Sequence, residues 1–439
     1  MGILACLSLP RLPTLAHNPP TATLGSPPTI APPTAAATRT STPAALLAAP
    51  PAGELRELQQ QVVGLRGLAP TGPVAESLLT SEDLRHQVLD DFLGDYTREQ
   101  ADGDALLLSL LGLLEPGTDL QTLYRELYTE QVAGYYDSAA DRMYVLAGSA
   151  WTGVERLTYV HEFTHALQDQ AFDLEAGLGY SEEACRRDGD RCRALSALLE
   201  GDATLVKEQW LRTYAERGDL DDVLKFAANY SSPAFDSAPE AIQRDFLFPY
   251  ELGLEYVRTL YLRDGWAAVD RAYLHPPQTT EEVLHPGQAP RPAAAVHLGD
   301  LASALGEGWR DVNHGVLGEW KMRLMLETRL EPADSETAAA GWGGDGYVVL
   351  ANPSLGAQAF VLVNVWDQAR DANEFATAMV RHAEARFGPT TGAADGATWT
   401  WQGGRIRLIR AYLQTLWIVA PSDSEAEALL LAVSFPVST

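Results

Sequence analysis

The sequence is poor in cysteine, poor in basic residues and without long apolar runs. Three Cys occur in 439 residues, and 32 Lys and Arg stand against 59 Asp and Glu, which gives a formal net charge of −27. This charge argues against nucleic acid and against anionic membrane surfaces as partners. Because no run of about 18 apolar residues occurs, the sequence predicts no transmembrane span. The hydrophobic content of 46% is sufficient for two or three globular domains.

The first 53 residues differ in composition from the rest of the chain. They contain eleven of the 27 Pro, many Thr and Ala, and no acidic residue. Such a segment buries too little surface to offset its ordering entropy, which predicts an extended, flexible spacer over residues 1–53. Ile3-Leu4-Ala5-Cys6 resembles the end of a bacterial lipobox, although the basic and apolar regions of a signal peptide do not precede it. Either the true start lies upstream and Cys6 carries a lipid anchor, which we favour, or Cys6 is incidental.

The other two cysteines bear on the cellular compartment. Cys185 and Cys192 flank a short polar loop, and a disulfide between them would fit an oxidising environment. The alternative is that all three Cys are free thiols of a cytosolic protein. The first interpretation predicts an extracytoplasmic protein, either secreted or anchored to the membrane as a lipoprotein.

One segment has the pattern of a zinc-binding helix, His161-Glu162-Phe163-Thr164-His165. Residues four apart lie on one helical face, so the imidazoles of His161 and His165 can converge on one Zn²⁺. Glu162 is positioned to accept a proton from water on that ion. The alternative is an amphipathic helix with two buried histidines that bind no metal.

The residues around the motif predict a helix. Thr152 and Glu155 have the spacing of a capping box, which places the helix start just before Val154. No Gly or Pro occurs from Val154 to Leu174, and apolar residues recur there at helical spacing. The motif is therefore expected within a continuous helix that has a buried face.

A catalytic zinc site needs a third protein ligand. In one large class of zinc enzymes this ligand lies six residues after the motif, beyond a Gly. Here Gln168 occupies the Gly position and Ala171 the ligand position. Because alanine has no donor atom in its side chain, this position cannot supply the third ligand. Glu200 lies at the centre of an almost wholly apolar helical run, where a carboxylate is costly unless it is paired or bound to metal. We therefore predict Glu200 as the third ligand.

Alternatives to this ligand set remain open at the level of sequence. The rival ligands are three acidic residues in a loop-like stretch, Glu175, Glu182 and Glu183. Thr204 lies one turn after Glu200, and both Thr204 and Asp202 are candidates to orient a ligand by hydrogen bonding. The sequence does not distinguish between them.

Two segments carry a resemblance to known proteins, HEFTHALQDQ (161–170) and LLEGDAT (198–204). They resemble the gluzincin type of zinc peptidase, in which a Glu from a later helix completes an HExxH site. They resemble still more closely a set of largely uncharacterised bacterial envelope proteins assigned to the metallopeptidases. Four supporting segments are present, namely Glu130–Asp137, Phe248-Pro249-Tyr250, Thr280–Pro286 and Gly341–Asp345. The resemblance spans residues 85 to 350 and implies zinc peptidase chemistry on a peptide or protein substrate that it does not specify.

Resemblance and pattern together predict an α+β chain with two folded parts. A mostly helical, zincin-like catalytic region over residues 54–335 includes a short β-hairpin from Tyr135 to Val145. A smaller α+β domain over residues 336–439 follows, with a buried strand at Phe360–Trp366, a helix from Asp371 to Phe387 and a hairpin turn at Gln402-Gly403-Gly404. An amphipathic helix is predicted from Gly315 to Leu330.

Attack on a carbonyl also requires a hydrogen-bond donor for the developing oxyanion. His285 and Tyr250 are the candidates. We favour His285 because the resemblance places Leu284-His285-Pro286 in a recurrent motif. Each candidate also has a structural alternative. His285 would cap a helix before Pro286, and Tyr250 would pack in the hydrophobic core.

Two functions follow from these observations. The first is a zinc-dependent peptidase outside the cytoplasm, with His161, His165 and Glu200 as ligands and Glu162 as general base. The second is a non-catalytic, zinc-stabilised envelope protein that binds a partner. Glu162 favours the enzyme, because a structural zinc site needs no base and is usually closed by four protein ligands.

Overall fold

The structure is a computed structural model that describes residues 2–6, 52–146, 151–390, 396–401, 404–433 and 435. The described chain is a mixed α+β fold, as predicted. Its first eleven helices are α1 (Ala52–Arg66), α2 (Ser81–Leu93), α3 (Arg98–Leu111), α4 (Leu120–Gln131), α5 (Gly153–Phe172), α6 (Glu182–Arg187), α7 (Gly189–Thr213), α8 (Arg217–Asn229), α9 (Pro233–Ser237), α10 (Glu240–Leu274) and α11 (Thr280–Leu284).

The remaining helices accompany the C-terminal sheet. They are α12 (Leu301–Leu305), α13 (Gly318–Glu327), α14 (Pro332–Ala339), α15 (Ala369–Phe387) and α16 (Asp423–Ala432). The strands are β1 (Gly2–Cys6), β2 (Ala75–Leu79), β3 (Val132–Asp137), β4 (Arg142–Leu146), β5 (Arg310–Gly315), β6 (Trp342–Asn352), β7 (Ala357–Trp366), β8 (Gly396–Trp401), β9 (Gly404–Ala411) and β10 (Gln414–Ala420).

The N-terminal part is mostly helical and contains a four-stranded sheet in the order β1-β3-β4-β2. β3 pairs antiparallel with β1 and with β4, whereas β2 pairs parallel with β4. α5 packs on β3 and β4, and α7 contacts both α5 and α10. The predicted hairpin is confirmed as β3 and β4, and the predicted motif helix is confirmed as α5.

The C-terminal part is an antiparallel sheet in the order β5-β6-β7-β10-β9-β8. Side chains alternate along β7 between two cores. Phe360 and Leu362 belong to the core shared with the helical part and with α15, whereas Val361 and Val363 belong to a second core that includes α16. Because both faces are covered, successive residues of the strand are apolar, which is the pattern that predicted a buried strand.

The C-terminal part begins before the predicted boundary at residue 336. The edge strand β5 and the connecting helices α13 and α14 precede or overlap that boundary. The helix predicted from Gly315 is shorter, because the Asp345 carboxylate accepts hydrogen bonds from the N–H groups of Leu317 and Gly318 and thereby starts α13 there. Residues 7–51 of the predicted spacer and residues 402 and 403 of the predicted turn lie outside the described residues.

Two further predictions concern the disulfide and the membrane. The disulfide between Cys185 and Cys192 is present, with a Cα–Cα distance of 4.9 Å, and it joins α6 to α7. Within the described ranges, no helix has both the length and the apolarity that a membrane crossing needs.

A buried ion pair joins α1 to α7. Arg66 Nε donates to both carboxylate oxygens of Asp202, at 2.8 and 2.9 Å, and neither side chain is exposed. The Tyr273 hydroxyl donates to the same carboxylate at 2.8 Å, and the Arg66 guanidinium lies 4.4 Å from the centre of the Trp266 ring. The Asp202 carboxylate therefore belongs to a buried ion pair that stabilises the fold. This corrects the prediction that Asp202 orients a metal ligand.

Removal of the Arg66 cation tests this pair. Arg66→Met should lower the free energy of unfolding by about 3–5 kcal/mol, because the buried Asp202 carboxylate loses its counter-charge. Urea unfolding followed by circular dichroism measures the change. Arg98→Met, which removes an arginine whose side chain is 59% exposed, is the matched control and should leave stability unchanged. Equal effects of the two substitutions would contradict the buried pair.

Candidate metal centre

α5 carries the HExxH motif and begins at the predicted capping box. The Thr152 N–H donates to Glu155 Oε2 at 2.9 Å, and the Val154 N–H donates to Thr152 Oγ1 at 3.3 Å. Every residue from Leu157 to Gln168 is buried. The motif therefore lies in the interior, where α5 is covered by β3 and β4 and by α7.

Three side chains predicted as metal ligands converge in the structure. His161 Nε2 lies 3.0 Å from Glu200 Oε2, His165 Nε2 lies 3.4 Å from the same oxygen, and the two Nε2 atoms are 3.1 Å apart. In a tetrahedral zinc site with bonds near 2.1 Å, ligand atoms are separated by about 3.4 Å. Two imidazole nitrogens and a carboxylate oxygen at this spacing fit Zn²⁺ and leave one coordination position for water or substrate.

Gln168 orients the ring of His165, a role that sequence analysis missed. His165 Nδ1 is 2.8 Å from Gln168 Oε1, and Gln168 Nε2 donates to the Leu199 carbonyl oxygen at 3.1 Å. Because the amide oxygen can only accept, Nδ1 carries the proton and Nε2 keeps its lone pair for a metal. The signal in the sequence was a polar side chain one turn after His165 in a helix of buried residues.

Glu200 is held at the site by a close crossing of α7 and α10. A Cβ on Gly201 would lie 2.1 Å from the Gly253 carbonyl oxygen, and a Cβ on Gly253 would lie 2.3 Å from the Ala197 carbonyl oxygen. Glycine at both positions is what allows the two backbones to touch. The crossing brings Tyr250 of α10 to Glu200, where the Tyr250 hydroxyl donates to Oε1 at 3.3 Å.

Glu162 is fully buried where α5 packs on β3. A Cβ on Gly134 of β3 would lie 3.3 Å from Glu162 Cγ and 3.0 Å from Thr158 Cγ2. Glycine at this position therefore lets the strand pack directly on the helical turn that carries Glu162. This contact explains the Gly at the centre of the segment Glu130–Asp137.

The electrostatics of the group favour metal binding at neutral pH. Burial lowers the pKa of His161 to about 4, so its imidazole is neutral and offers a lone pair. Burial alone would raise the pKa of Glu200, but the neighbouring His165 and His161 bring that pKa below its ordinary value. An ionised carboxylate between imidazoles is the protonation state that zinc ligands require.

The other candidate residues make different contacts. His285 Nε2 lies 2.8 Å from Glu319 Oε1, and His285 lines a separate cavity of about 330 Å³ with Tyr256 and Arg291. The rival acidic residues Glu175, Glu182 and Glu183 do not belong to the converging group. Thr204 Oγ1 is buried and has no hydrogen-bond partner among the described residues, so no hydrogen bond from it orients a ligand there.

The segments Thr280–Pro286 and Gly341–Asp345 help connect the motif helices to the C-terminal part. Asp190, at the start of α7, accepts from the Thr280 N–H at 3.1 Å and from its hydroxyl at 2.6 Å. Asp345 accepts from the Trp342 indole N–H at 2.9 Å and caps α13. Thr280 thus binds the start of α7 and Asp345 the start of α13, and neither belongs to the group of converging metal ligands.

Comparison with known proteins supplies no activity for this centre. Residues 305–430 match the family described as Domain of unknown function (DUF8575). That segment contains the C-terminal sheet but none of the residues that converge at the metal centre. No curated protein matches the chain, and no solved structure matches it. The function is therefore argued from the geometry of the site.

Metal analysis tests the ligand set. Purified protein should contain one Zn²⁺ per chain, and His161→Ala and Glu200→Ala should each lose most of it, because each removes one of three donors. Glu175→Ala removes an exposed acidic residue outside the group and should retain the metal. Full zinc content in Glu200→Ala would rule out Glu200 as the third ligand.

Proposed function

We propose that the protein is a zinc-dependent peptidase that hydrolyses bonds of a peptide or protein substrate. The observation that carries the proposal is the convergence of His161, His165 and Glu200, together with the burial of Glu162, which directly follows His161 in the chain. Zn²⁺ bound by these three ligands would act as a Lewis acid, lowering the pKa of water toward about 7 and polarising a carbonyl group. The proton transfers and the charge stabilisation fall to side chains of the chain itself.

Glu162 acts as the general base. It directly follows His161 in α5, and its side chain packs against Gly134 of β3. It takes a proton from the attacking water as the water oxygen bonds to the carbonyl carbon. It then passes this proton to the amine nitrogen as the C–N bond breaks. Burial in a region of low dielectric strengthens both interactions.

Tyr250 stabilises the oxyanion. Its hydroxyl lies within hydrogen-bond reach of Glu200, so it is already adjacent to the ligand group. His285, which sequence analysis favoured, is bonded instead to Glu319 and lines another cavity. We therefore assign the donor role to Tyr250 and a structural role to His285.

β3 provides a backbone edge along which an extended substrate can bind. Because Gly134 packs on Glu162, a peptide paired with β3 would pass the general base. In the structure this edge is paired with β1, and His161, Glu162, His165 and Glu200 are at most 4% exposed. Substrate would therefore take the position of β1.

The proposed location is outside the cytoplasm. The disulfide between Cys185 and Cys192 is typical of an oxidising compartment. The lipobox-like segment that ends at Cys6 supports anchoring through a lipid at that residue. The net charge of −27 disfavours nucleic acid as a partner.

The low exposure of the site favours one alternative function. A metal centre whose ligands are at most 4% exposed would also suit a non-catalytic envelope protein that uses zinc for stability and binds a partner. Glu162 argues for the enzyme, because a structural zinc site needs no general base and is usually closed by four protein ligands.

The substitution Glu162→Gln separates the two functions. It preserves shape and leaves the three ligands in place, so zinc content should be unchanged. Turnover of any peptide that the wild type cleaves should fall by about 10²–10⁴-fold, because the general base is lost. Glu175→Gln is the surface control and should retain full activity. Undiminished cleavage by Glu162→Gln would show that another group, or a contaminant, performs the reaction.

A comparison of Tyr250→Phe with His285→Ala tests the oxyanion donor. Tyr250→Phe removes a single hydroxyl and should lower kcat by about 10²–10³-fold with zinc retained. His285→Ala should change kcat little once the protein is shown to be folded by its melting temperature. The reverse result, with a large loss only in His285→Ala, would return the role to His285.

A further inference from the structure

A cavity of about 820 Å³ lies between the N-terminal helices and the C-terminal sheet. This volume is within the range of about 300–1,000 Å³ that is usual for small-molecule sites. The wall is formed by residues of α3, α4, α7, α10, β5, β6 and α13, and includes none of the converging metal ligands. Cys185 also lines the cavity, so its disulfide to Cys192 fixes α6 and α7 in this part of the wall. The proposed peptidase reaction makes no use of this cavity.

Three partly buried tyrosine rings form a row in the wall of the cavity. The ring centre of Tyr96 lies 6.1 Å from that of Tyr124, which lies 6.3 Å from that of Tyr128. Tyr124 and Tyr128 are one turn apart in α4, so their rings share one face of this helix. Tyrosine rings offer a ligand apolar faces, while their hydroxyl groups remain available for hydrogen bonds.

A chain of hydrogen-bonded polar side chains lies beside these rings. The Tyr96 hydroxyl donates to Asp104 Oδ2 at 2.6 Å, and Asn313 Nδ2 donates to Asp104 Oδ1 at 2.6 Å. The Tyr347 hydroxyl donates to Asn313 Oδ1 at 2.7 Å. These bonds hold the carboxylate and the amide in one orientation in the wall. Because a carboxylate accepts about four hydrogen bonds and an amide nitrogen donates two, both groups can also bind hydroxyl groups of a ligand.

The partly buried charged groups of the wall balance one another. Asp245 accepts hydrogen bonds from Arg193 Nη2 at 3.1 Å and from Lys321 Nζ at 2.5 Å. Burial raises the pKa of Asp104, whereas its hydrogen-bond donors and the charge of Lys321 oppose this rise. Two cations therefore face two carboxylates, and no net charge is left to attract an anion or a cation. The other acidic and basic residues of the wall are exposed and of both signs, namely Asp91, Glu182, Asp311, Arg186 and Arg187.

We propose that this cavity is a carbohydrate-binding site that takes a short, uncharged oligosaccharide. Sugar rings combine apolar C–H faces, which pack on aromatic rings, with hydroxyl groups that both donate and accept hydrogen bonds. Three tyrosine rings in a row provide packing surfaces for successive sugar units. A wholly apolar ligand would remove water from Asp104 and Asn313 without replacing its hydrogen bonds, which is costly. A charged ligand would meet no excess of opposite charge among the partly buried groups.

Direct binding tests the class of ligand. Purified protein is mixed with maltotriose, cellotriose or tri-N-acetylchitotriose, binding is detected by saturation-transfer NMR, and Kd is measured by calorimetry. At least one of these neutral sugars should bind. Three probes of other classes, N-acetyl-tetraalanine amide, tetramethylammonium chloride and inorganic phosphate, should not displace it. Absence of binding by all three sugars would overturn the proposal. Displacement of the bound sugar by a peptide, cation or anion probe would also overturn it, because the cavity would then belong to another class of ligand.

Substitutions in the wall locate the bound sugar. Asp104→Asn should weaken binding by about tenfold or more, because hydrogen bonds to a carboxylate are stronger than those to a neutral amide. Asp102→Asn, at an exposed position in the same helix, is the matched control and should bind as wild type. Tyr124→Leu should weaken binding by about three- to tenfold through loss of the ring face, whereas Tyr124→Phe should retain most of the affinity. Melting temperatures verify that each variant is folded. Unchanged affinity in both Asp104→Asn and Tyr124→Leu would place the sugar outside this cavity and contradict the proposal.

The metal centre provides a further control, because the proposed sugar site is separate from it. Glu162→Gln should bind the sugar with the same Kd as wild type, and so should wild-type protein treated with a chelator. This result would stand even if no peptide were ever cleaved, so failure of the peptidase function is distinguishable from failure of the sugar site. Loss of sugar binding after removal of the metal, in protein that is still folded by its melting temperature, would place the sugar at the metal centre and overturn the proposal.

Discussion

The contact between α7 and α10 at Gly201 and Gly253 is the constraint on which the metal centre depends. Backbone-to-backbone packing at this crossing fixes where Glu200 lies relative to the two imidazoles of α5, and it also brings in Tyr250. Any side chain at either glycine would push the helices apart by more than the tolerance of a zinc site, because metal–ligand bonds vary by only about 0.2 Å. The ligand set is thus a product of helix packing as much as of the HExxH motif.

Two neighbouring carboxylates of α7 illustrate how the same chemistry serves stability and function. Asp202 is paired with Arg66, which ties α1 into the core. Glu200, two residues earlier, faces the imidazoles of His161 and His165. A buried carboxylate is tolerated only where a cation or a set of donors meets it. In α7 one carboxylate meets an arginine and the other meets the two candidate zinc ligands.

Local pattern predicted the elements that carry the site, but not every strand and not all of the contacts. The capping box of Thr152 and the uninterrupted helical spacing predicted α5, and the apolar surroundings of Glu200 predicted its convergence with the histidines. The role of Gln168 depends on a carbonyl of α7, and the choice between Tyr250 and His285 depends on how α10 crosses α7. Neither is encoded in local periodicity. The early start of the C-terminal sheet at β5 was likewise missed, because an edge strand with exposed polar residues has little apolar signal.

The most direct test of the account is anomalous diffraction at the zinc edge from crystals of the zinc-loaded protein. The account predicts one peak about 2.0–2.2 Å from Nε2 of His161, from Nε2 of His165 and from a carboxylate oxygen of Glu200, with a solvent or substrate atom as the fourth ligand. A peak held by other side chains, or a fourth protein ligand that closes the site, would contradict a catalytic centre at this position.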